Sequence, residues 1–299
     1  MVSARIPTFK LIWMANRERE VYTGQKLELC SITNAKAGRC KEDCKFCAQS
    51  ERHRTPTPIY PLKDKETLLK EAERAKAIGA QRFGIVTSGA GVSQKELEKI
   101  IEAIQEIKRK VEIKLCASLG FLNRDSLLAL KKAGLERYHH NIETSPEFFH
   151  QVVSTHGFEK RIKTIKTAKQ VGLELCSGGI IALGETEEDR VRMASILKGL
   201  KVDSVPINIL LPIPGTPYQE TPPLSICEII RAIAIFRLIL EDRTIRIAAG
   251  RDSILKDFQG LAFMAGANAM IIGGYLTTKA RDVGEDQRMV EEIKRLWIG

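Results

Sequence analysis

Apolar residues are distributed along the chain in two patterns. Short continuous apolar runs predict strands, and apolar residues that recur every three or four positions predict helices. From about residue 65 to the C-terminus, short β-prone apolar runs are separated by longer segments whose apolar residues recur every three or four positions. The first of these segments places Leu68, Leu69, Ala72 and Ala75 on one helical face with charged residues opposite. The pattern predicts eight strands, at residues 27–34, 83–87, 112–117, 137–144, 173–176, 204–210, 244–248 and 269–272, and seven helices, at 65–77, 94–110, 124–133, 187–200, 224–240, 258–265 and 285–296.

Strands that alternate with helices predict right-handed crossovers and a parallel sheet, because each helix returns the chain to the start of the next strand. Eight such units in 299 residues fit an α/β fold, the (β/α)8 TIM barrel. A doubly wound open sheet is the alternative, but Gly89 and Gly91 do not belong to a dinucleotide-binding fingerprint. We expect one domain over residues 1–299, with a helical extension at 1–24 and a cysteine-bearing loop at 35–64.

The predicted strands carry polar side chains on one side. Because alternate residues of a strand face opposite sides, His139, Asn141 and Glu143 share a side. A barrel interior is ordinarily filled with branched apolar residues, and helices cover the outside. The polar residues therefore indicate a functional lumen. The others with this placement are Lys114, Cys116, Ser118, Glu174, Cys176, Asn208 and Arg246.

Composition narrows the class of protein. Apolar residues make up 43% of the chain and charged residues 28%, an average globular mixture. The net charge of +10 comes from basic residues interleaved with acidic ones, so no nucleic-acid partner is expected. No apolar run reaches the ~20 residues of a membrane span, and the N-terminus lacks the apolar core of a signal peptide. We expect a soluble, cytoplasmic protein with no membrane partner.

Three of the seven cysteines, Cys40, Cys44 and Cys47, form a C-x3-C-x2-C run. Without a secretion signal, this spacing indicates metal binding or redox chemistry rather than disulfides. Iron–sulfur clusters and zinc both accept thiolate ligands. Three ligands would leave one iron of a four-iron cluster free to bind a substrate, whereas structural zinc would need a fourth ligand such as His53. Reduced thiols without a metal are the remaining alternative.

The motif, with Phe46 before its third cysteine, resembles the signature of radical S-adenosylmethionine enzymes. Further segments, in order along the chain, resemble the biotin synthase family within that superfamily. The resemblance implies a sulfurtransferase that converts dethiobiotin to biotin, with a 5′-deoxyadenosyl radical made from S-adenosylmethionine at a [4Fe–4S] cluster. It also implies an auxiliary iron–sulfur cluster, [2Fe–2S] or larger, as the sulfur source. The segments are 37–50, 140–148, 176–180, 184–186, 204–208, 246–251 and 263–268.

The resemblance also implies roles for individual residues. Cys40, Cys44 and Cys47 would hold the [4Fe–4S] cluster. By itself, Arg161 is typical of a solvated helix surface, but it matches the position that binds the methionine carboxylate, and Glu143 matches the position that binds the ribose. The positions matching cosubstrate contacts are Phe46, Thr87, Ser88, Asn141, Glu143 and Arg161, and those matching dethiobiotin contacts are His139, Asn141 and Asn208, where the family commonly has asparagine in place of His139.

The auxiliary cluster of the family commonly uses three cysteines and an arginine. Cys116, Cys176 and Arg246 match three of these ligands, but Gly84 stands at the position of the remaining cysteine. Cys30, on the first predicted strand, could supply the missing thiolate, as in variant enzymes of anaerobes. The expected auxiliary set is therefore Cys30, Cys116 and Cys176, with Arg246 as a ligand or a neighbour. Cys227, inside a predicted helix, is expected to serve packing only.

Two other functions remain open from the sequence. A radical enzyme related to hydrogenase maturases or methylornithine synthase would share the barrel and the first motif, but not Cys116, Cys176 and Arg246 together. A non-catalytic zinc-binding protein would share only the thiolate ligands. The resemblance further implies an electron-donor protein of the flavodoxin or ferredoxin type, and a homodimer.

Overall fold

The computed structural model describes residues 6–274 and 281–298, which form a parallel β-barrel surrounded by helices. The strands are β1 (Glu28–Lys36), β2 (Arg82–Thr87), β3 (Lys114–Ser118), β4 (Arg137–His139), β5 (Glu174–Cys176), β6 (Gly179–Ile181), β7 (Ser204–Ile209), β8 (Thr244–Ile247) and β9 (Ala269–Ile271). The α-helices are α1 (Thr8–Thr23), α2 (Lys65–Ala77), α3 (Gln94–Lys110), α4 (Arg124–Lys132), α5 (Pro146–Val152), α6 (Phe158–Gln170), α7 (Glu187–Gly199), α8 (Ile226–Leu240), α9 (Gln259–Met264) and α10 (Val283–Ile298). A π-helical turn, Arg251–Leu255, and a 3-10 turn, Lys256–Phe258, precede α9.

The strands close into a ring. They are hydrogen-bonded in the order β5-β4-β3-β2-β1-β9-β8-β7-β6, and a further parallel pairing joins Cys176 of β5 to Ser204 of β7. β6 follows β5 after a break at Ser177 and Gly178 and also pairs with β7, so the ring has eight strand positions. The predicted (β/α)8 barrel is confirmed, and the open sheet is wrong.

Two glycines explain the break between β5 and β6. A Cβ atom on Gly178 would lie 2.0 Å from Pro206 O, and one on Gly179 would lie 2.2 Å from Glu143 O. Only glycine allows backbones to approach this closely. The close approach lets Ile180 N donate a hydrogen bond to Glu143 O at 2.8 Å, which fixes the backbone at Glu143.

Helices begin where the sequence supplies caps. Ser93 and Glu96 form a capping box at the start of α3, and Ser225 and Glu228 form another at the start of α8. In each box the serine side chain accepts from a free backbone N–H of the first turn, which stabilises the helix by about 1 kcal/mol. These caps place the helix starts close to the positions that hydrophobic periodicity predicts.

Most predicted elements are confirmed within a few residues, with two kinds of exception. β4 ends at His139 rather than at residue 144, because the chain turns to reach Glu143, whose φ is +70°. Helices α5 and α6 follow this turn and were not predicted; α5 is only seven residues long and starts with Pro146 after the Ser145 cap. The chain between β4 and β5 is therefore more helical than its sequence pattern suggests.

The apolar core lies between the barrel and the helices, which leaves the lumen to polar side chains. Ile85, Leu115, Val205 and Ile245, one from each of four strands, are fully buried in this layer. Burying such a side chain contributes roughly 1.5–3 kcal/mol. None of the described helices combines the length and apolar character needed to cross a membrane.

Candidate active site

Six of the seven cysteines line one cavity of about 350 Å³ in the barrel. The upper thiols, Cys40, Cys44 and Cys47, belong to the loop after β1. The lower thiols, Cys30, Cys116 and Cys176, belong to strands β1, β3 and β5. All are free of disulfide bonds, so two separate groups of three thiols face the same space.

Hydrogen bonds hold the loop of the upper thiols in a fixed shape. Cys47 N donates to Cys44 O at 2.9 Å, closing a turn between two of the thiols. Asp43 anchors the loop to the segment before α6, where its Oδ1 accepts from Ser154 N at 3.0 Å and from Thr155 N at 3.1 Å. Desolvation raises the pKa of Asp43, but these hydrogen bonds outweigh it and keep the pKa below its usual value.

The upper thiols suit an iron–sulfur cluster. Burial raises the pKa of all three, that of Cys47 to about 11, so a metal centre would have to displace their protons. Three soft donors that surround a cavity fit such a cluster. His53 is not brought to them, because its Nδ1 lies 2.9 Å from Cys47 O and its ring does not line the cavity. Within residues 6–274 and 281–298, no three His, Cys, Asp or Glu side chains are grouped as a site for a single metal ion.

A guanidinium, a carboxylate and an amide lie beside the upper thiols. Arg161 Nη1 donates to Asn141 O at 3.0 Å and to Glu143 Oε1 at 3.2 Å, and Nη2 lies 4.0 Å from Cys44 Sγ. Arg161 is only 8% exposed, so it belongs to the site and not to a solvated helix face. Asn141 Nδ2 donates to Glu143 Oε2 at 3.2 Å. The left-handed backbone of Glu143 is uncommon outside glycine and often occurs at functional sites.

The end of β2 and the aromatic residue of the motif complete the upper part of the cavity. Thr87, Ser88 and Phe46 all line it. Ser88 Oγ donates to Gly38 O at 2.7 Å and so fastens the start of the loop. Thr87 Oγ1 is buried without a hydrogen-bond partner among the described residues, which leaves it available to a bound ligand.

The lower thiols are buried and differ in acidity. Burial raises the pKa of Cys30 and of Cys116 to about 12. The pKa of Cys176 is instead lowered to about 6, because the electrostatic influence of His139 and Arg246 outweighs burial. Cys176 is therefore the most acidic of the three lower thiols.

Gly84, where the resemblance expects a cysteine, lies between β1 and β3. Its register partners are Ile32 and Cys116. A Cβ atom at Gly84 would meet Ile32 Cγ2 at 3.0 Å, which is closer than ordinary van der Waals contact. A side chain at position 84 would therefore require Ile32 to shift. Cys30, two residues earlier on the same side of β1, supplies a thiol to the same cavity.

Arg246 lies next to the lower thiols and is held by hydrogen bonds. Its Nη1 donates to Ser204 Oγ at 2.8 Å and lies 3.7 Å from Cys176 Sγ. Its Nη2 pairs with Glu28. Both Nη atoms thus have partners, and the guanidinium stands beside Cys176 as a charged neighbour.

Below the lower thiols lies a charged layer, called here the polar floor, of which sequence reasoning identified only Glu174 and missed the other members, Glu28, Arg82 and Arg137. Arg137 donates to Glu174 Oε2 at 2.8 Å and to Glu28 Oε1 at 3.1 Å, and Arg82 donates to Glu174 Oε2 at 3.0 Å. Desolvation raises the pKa of Glu28, but the nearby guanidiniums outweigh it and lower the pKa to about 2. The sequence could have indicated this layer, because each of these residues lies at or next to the start of a predicted strand, on the side that faces the lumen.

Most polar residues predicted for the lumen line the cavity: Cys116, Ser118, His139, Asn141, Glu143, Cys176, Asn208 and Arg246. Asn208 Nδ2 donates to Gly179 O at 3.1 Å and its Oδ1 accepts from Ala249 N at 3.2 Å, so the backbone orients its amide. Lys114 and Glu174 do not line the cavity: Lys114 is exposed, and Glu174 belongs to the polar floor.

The packing role expected for Cys227 is wrong. Its side chain is exposed, and its Sγ lies 3.5 Å from Thr8 Oγ1. Cys227 lies in the first turn of α8, on the face of that helix that meets solvent. It therefore belongs to neither group of thiols in the barrel.

Comparison with known families gives two adjoining matches along the chain. Residues 36–197 match the model of the Radical SAM superfamily. Residues 206–294 match the model of the Biotin and Thiamin Synthesis associated domain. The first match contains the loop of the upper thiols, and the second contains Arg246.

Individual proteins give closer likenesses. The chain is 52% identical over 290 residues to biotin synthase of Thermotoga petrophila, an alignment that covers 97% of this chain and 96% of that protein. It is 49% identical over 273 residues to biotin synthase of Pelotomaculum thermopropionicum, covering 91% of this chain and 85% of that protein.

Solved structures show the same fold at lower identity. Methylornithine synthase superposes with a TM-score of 0.83 at 20% identity, covering 96% of this chain and 88% of that one. The hydrogenase maturase of Carboxydothermus hydrogenoformans superposes with a TM-score of 0.81 at 18% identity, covering 95% of this chain and 70% of that one. At these identities the likeness shows the fold alone.

Proposed function

Because this chain belongs to the radical S-adenosylmethionine superfamily and, within it, to the biotin synthase family, we propose that its two groups of thiols serve the conversion of dethiobiotin to biotin. The chain is an enzyme of the sulfurtransferase class, with S-adenosylmethionine, a [4Fe–4S] cluster and an auxiliary iron–sulfur cluster as its cofactors. The alternatives of a maturase-like or methylornithine-synthase-like enzyme and of a zinc-binding protein are not favoured, since about half of the sequence is identical to biotin synthases.

The reaction explains why a single barrel needs two inorganic centres. The carbons of dethiobiotin that receive sulfur carry unactivated C–H bonds, which no side-chain acid or base can deprotonate near neutral pH. When bound, the loop cluster and S-adenosylmethionine supply a carbon radical that removes such hydrogens, and the auxiliary cluster supplies the sulfur. The protein contributes the placement of these partners and the exclusion of water.

The upper part of the cavity is suited to S-adenosylmethionine. Cys40, Cys44 and Cys47 would hold the cluster. Arg161 would bind the methionine carboxylate, since a guanidinium and a carboxylate can form two parallel hydrogen bonds. Glu143 would accept hydrogen bonds from the ribose hydroxyls. Asn141, Thr87, Ser88 and Phe46 line the same space and would complete the contacts.

The lower part of the cavity is suited to the auxiliary cluster. Cys30, Cys116 and Cys176 would hold it, and Arg246 would offset its negative charge as a neighbour. His139 and Asn208 line the same cavity and would bind the ureido ring of dethiobiotin, because an amide and an imidazole offer both donors and acceptors.

The observation that carries the proposal is the presence of two separate thiol triplets on one cavity. We expect anaerobically reconstituted protein to contain clearly more than four irons and to form biotin from dethiobiotin. Cys30→Ala should lose the iron in excess of four and the formation of biotin, while the matched variant Cys227→Ala should lose neither. Wild-type protein with only four irons and with Cys30, Cys116 and Cys176 alkylated as free thiols would refute the proposal.

The surface around the cysteine loop suits an acidic electron donor of the flavodoxin or ferredoxin type. Five cations are exposed there, and none of them forms an ion pair within the described residues: Arg39, Lys41, Lys45, Arg52 and Arg54. Glu42 and Asp43, the carboxylates inside the motif, are engaged by His156 and Ser154. The loop therefore presents mainly positive charge to solvent, which would steer an acidic partner toward the cluster.

The electron-donor proposal predicts a charge effect that depends on the reductant. In the double variant Lys41→Glu/Lys45→Glu, electron transfer from reduced flavodoxin to the loop cluster should be at least about tenfold slower at low salt. Reduction by dithionite should stay within about twofold, because a small reductant needs no docking face. Lys132→Glu/Lys201→Glu, with both lysines exposed, is the control. Equal slowing with both reductants would contradict the docking face.

Two further parts of the proposal follow from the family. The enzyme is proposed to form a homodimer, and exposed apolar residues on α1, Phe9 and Trp13, are available for such a contact. A cytoplasmic location is proposed because all seven cysteines are free, as in a reducing compartment. Sedimentation of the wild type and of Trp13→Glu tests the first point.

A further inference from the structure

A histidine outside the predicted site connects Arg161 to the cysteine loop. Arg161 Nε lies 3.1 Å from Nε2 of His156, and Nδ1 of His156 lies 2.6 Å from Glu42 Oε2. Glu42 lies between the first two cysteines of the motif. A continuous chain of polar contacts therefore runs from the loop, through an imidazole, to the guanidinium beside Cys44.

The two contacts of His156 define its protonation. The guanidinium of Arg161 is always a donor, so Nε2 of His156 must accept. Nδ1 then carries the proton and donates it to the carboxylate of Glu42. A neutral imidazole with its proton on Nδ1 satisfies both partners, whereas an imidazolium would turn an N–H toward an N–H of Arg161.

The surroundings of His156 fix the ring in place. The Phe121 ring centroid lies 5.1 Å away and that of Phe149 lies 5.8 Å away, both edge to face. His156 is 8% exposed, and burial, followed by the charge of Arg161, lowers its pKa. The titratable and charged groups that face it are Glu42 from the loop, Lys160 and Arg161 from α6, and His140 from the chain after β4.

We propose that His156 is a positioning residue for S-adenosylmethionine, which orients the Arg161 guanidinium toward the upper thiols. The inference rests on the proposed function, because it takes Arg161 as the group that binds the methionine carboxylate. With Nε held by His156 and Nη1 held by Asn141 and Glu143, the guanidinium plane is fixed and Nη2 stays near Cys44. Without His156, Nε would be a buried donor without a partner, and the side chain would have to reorient to satisfy it.

The test compares two substitutions at His156 in the reconstituted holoenzyme. His156→Ala removes the acceptor, whereas His156→Gln keeps an acceptor and a donor but cannot titrate. The matched control is His150→Ala, an exposed histidine at the end of α5. The dissociation constant of S-adenosylmethionine is measured by equilibrium dialysis between about pH 5.5 and 8, together with iron content and with kcat at saturating cosubstrate.

We expect His156→Ala to raise the dissociation constant about tenfold at neutral pH, with iron content and kcat at saturation nearly unchanged. His156→Gln should restore most of the affinity. The wild type should lose affinity as the pH falls through the pKa of His156, which lies below its usual value of about 6.5, and this loss should be absent from His156→Gln. His150→Ala should behave as the wild type.

The results that differ from this expectation would overturn either the positioning role of His156 or the proposed function. Wild-type affinity in His156→Ala would overturn the positioning role and leave the proposed function intact. If His156→Ala loses its iron, the comparison of the wild type with His156→Gln decides, and identical pH profiles would overturn the role. Failure of the iron-loaded wild type to bind S-adenosylmethionine at any pH would instead refute the proposed function.

Discussion

The upper and lower thiols share a cavity but are built in opposite ways. The upper thiols lie within eight residues of one loop, and two of them, Cys40 and Cys47, are partly exposed. The lower thiols come from three strands far apart in sequence and are all buried above the polar floor. A loop near the surface suits a centre that must receive electrons and exchange a cosubstrate. Rigid strands suit a centre that must be kept from solvent.

The largest effect is expected when one thiol is removed from the loop, which tests whether the upper thiols form the radical centre. Cys44→Ala should abolish the cleavage of S-adenosylmethionine, because two ligands cannot hold the loop cluster in place. The formation of methionine and 5′-deoxyadenosine is measured anaerobically, with Cys227→Ala as the control. Cleavage at the wild-type rate would show that the upper thiols do not form the radical centre.

Removing a lower thiol should separate the two centres. Cys176→Ala should stop the formation of biotin but leave part of the cleavage of S-adenosylmethionine, since the loop thiols remain intact. Both products are measured in one assay, again beside Cys227→Ala. A biotin yield that survives the substitution would mean that the lower thiols are not the sulfur source.

The polar floor should support the lower group more than the upper one. Glu28→Gln leaves the guanidiniums of Arg82, Arg137 and Arg246 with less compensation, which should cost about 3 kcal/mol of unfolding free energy at pH 7. Urea denaturation measures the loss, with the exposed Glu73→Gln as the control.

The pH dependence of this loss follows from the lowered pKa of Glu28. A carboxyl group whose pKa is about 2 in the folded chain, against its ordinary 4.5, adds stability above about pH 4.5 that disappears as the pH falls toward 2. The gap between the wild type and Glu28→Gln should therefore narrow in this window. A gap that is constant from pH 7 to about pH 3 would argue against a charge effect.

The smallest expected effect concerns the anchor of the loop. Asp43→Asn weakens the hydrogen bonds from Ser154 and Thr155, which should cost about 1 kcal/mol because Asp43 is partly solvated. Hydrogen exchange of the loop amides should rise about fivefold, while the amides of β3 and β5 should not change. Asp125→Asn, at an exposed position on α4, is the control. Equal acceleration in loop and strands would mean that the two regions are not independent.

The upper thiols could be predicted from sequence because their spacing is local. The lower thiols were predicted from strand parity and from the resemblance together, since no single segment contains more than one of them. Their proximity in one cavity became visible only with the closed ring of strands.

The contacts that were missed depend on tertiary structure. His156 follows helix α5, which is too short to leave a clear periodic pattern. One of its partners, Arg161, is five residues away, but the other, Glu42, is 114 residues away in sequence. Glu28, Arg82 and Arg137 of the polar floor were missed because a charged residue at the start of a strand is ordinarily solvated. The packing role expected for Cys227 was wrong because a position inside a helix can face solvent as well as the core, and α8 exposes this one.

The close approach of Ile32 to the position that a Cβ atom of Gly84 would occupy has a consequence for how the family could evolve. Moving a thiol from position 30 to position 84 needs two replacements, and the new side chain at position 84 would also require Ile32 to shift. The exchange would need changes on both strands. Its intermediates would have a cysteine at both position 30 and position 84, or at neither. Enzymes with the two arrangements should therefore form distinct groups, each inheriting positions 30, 32 and 84 as a set.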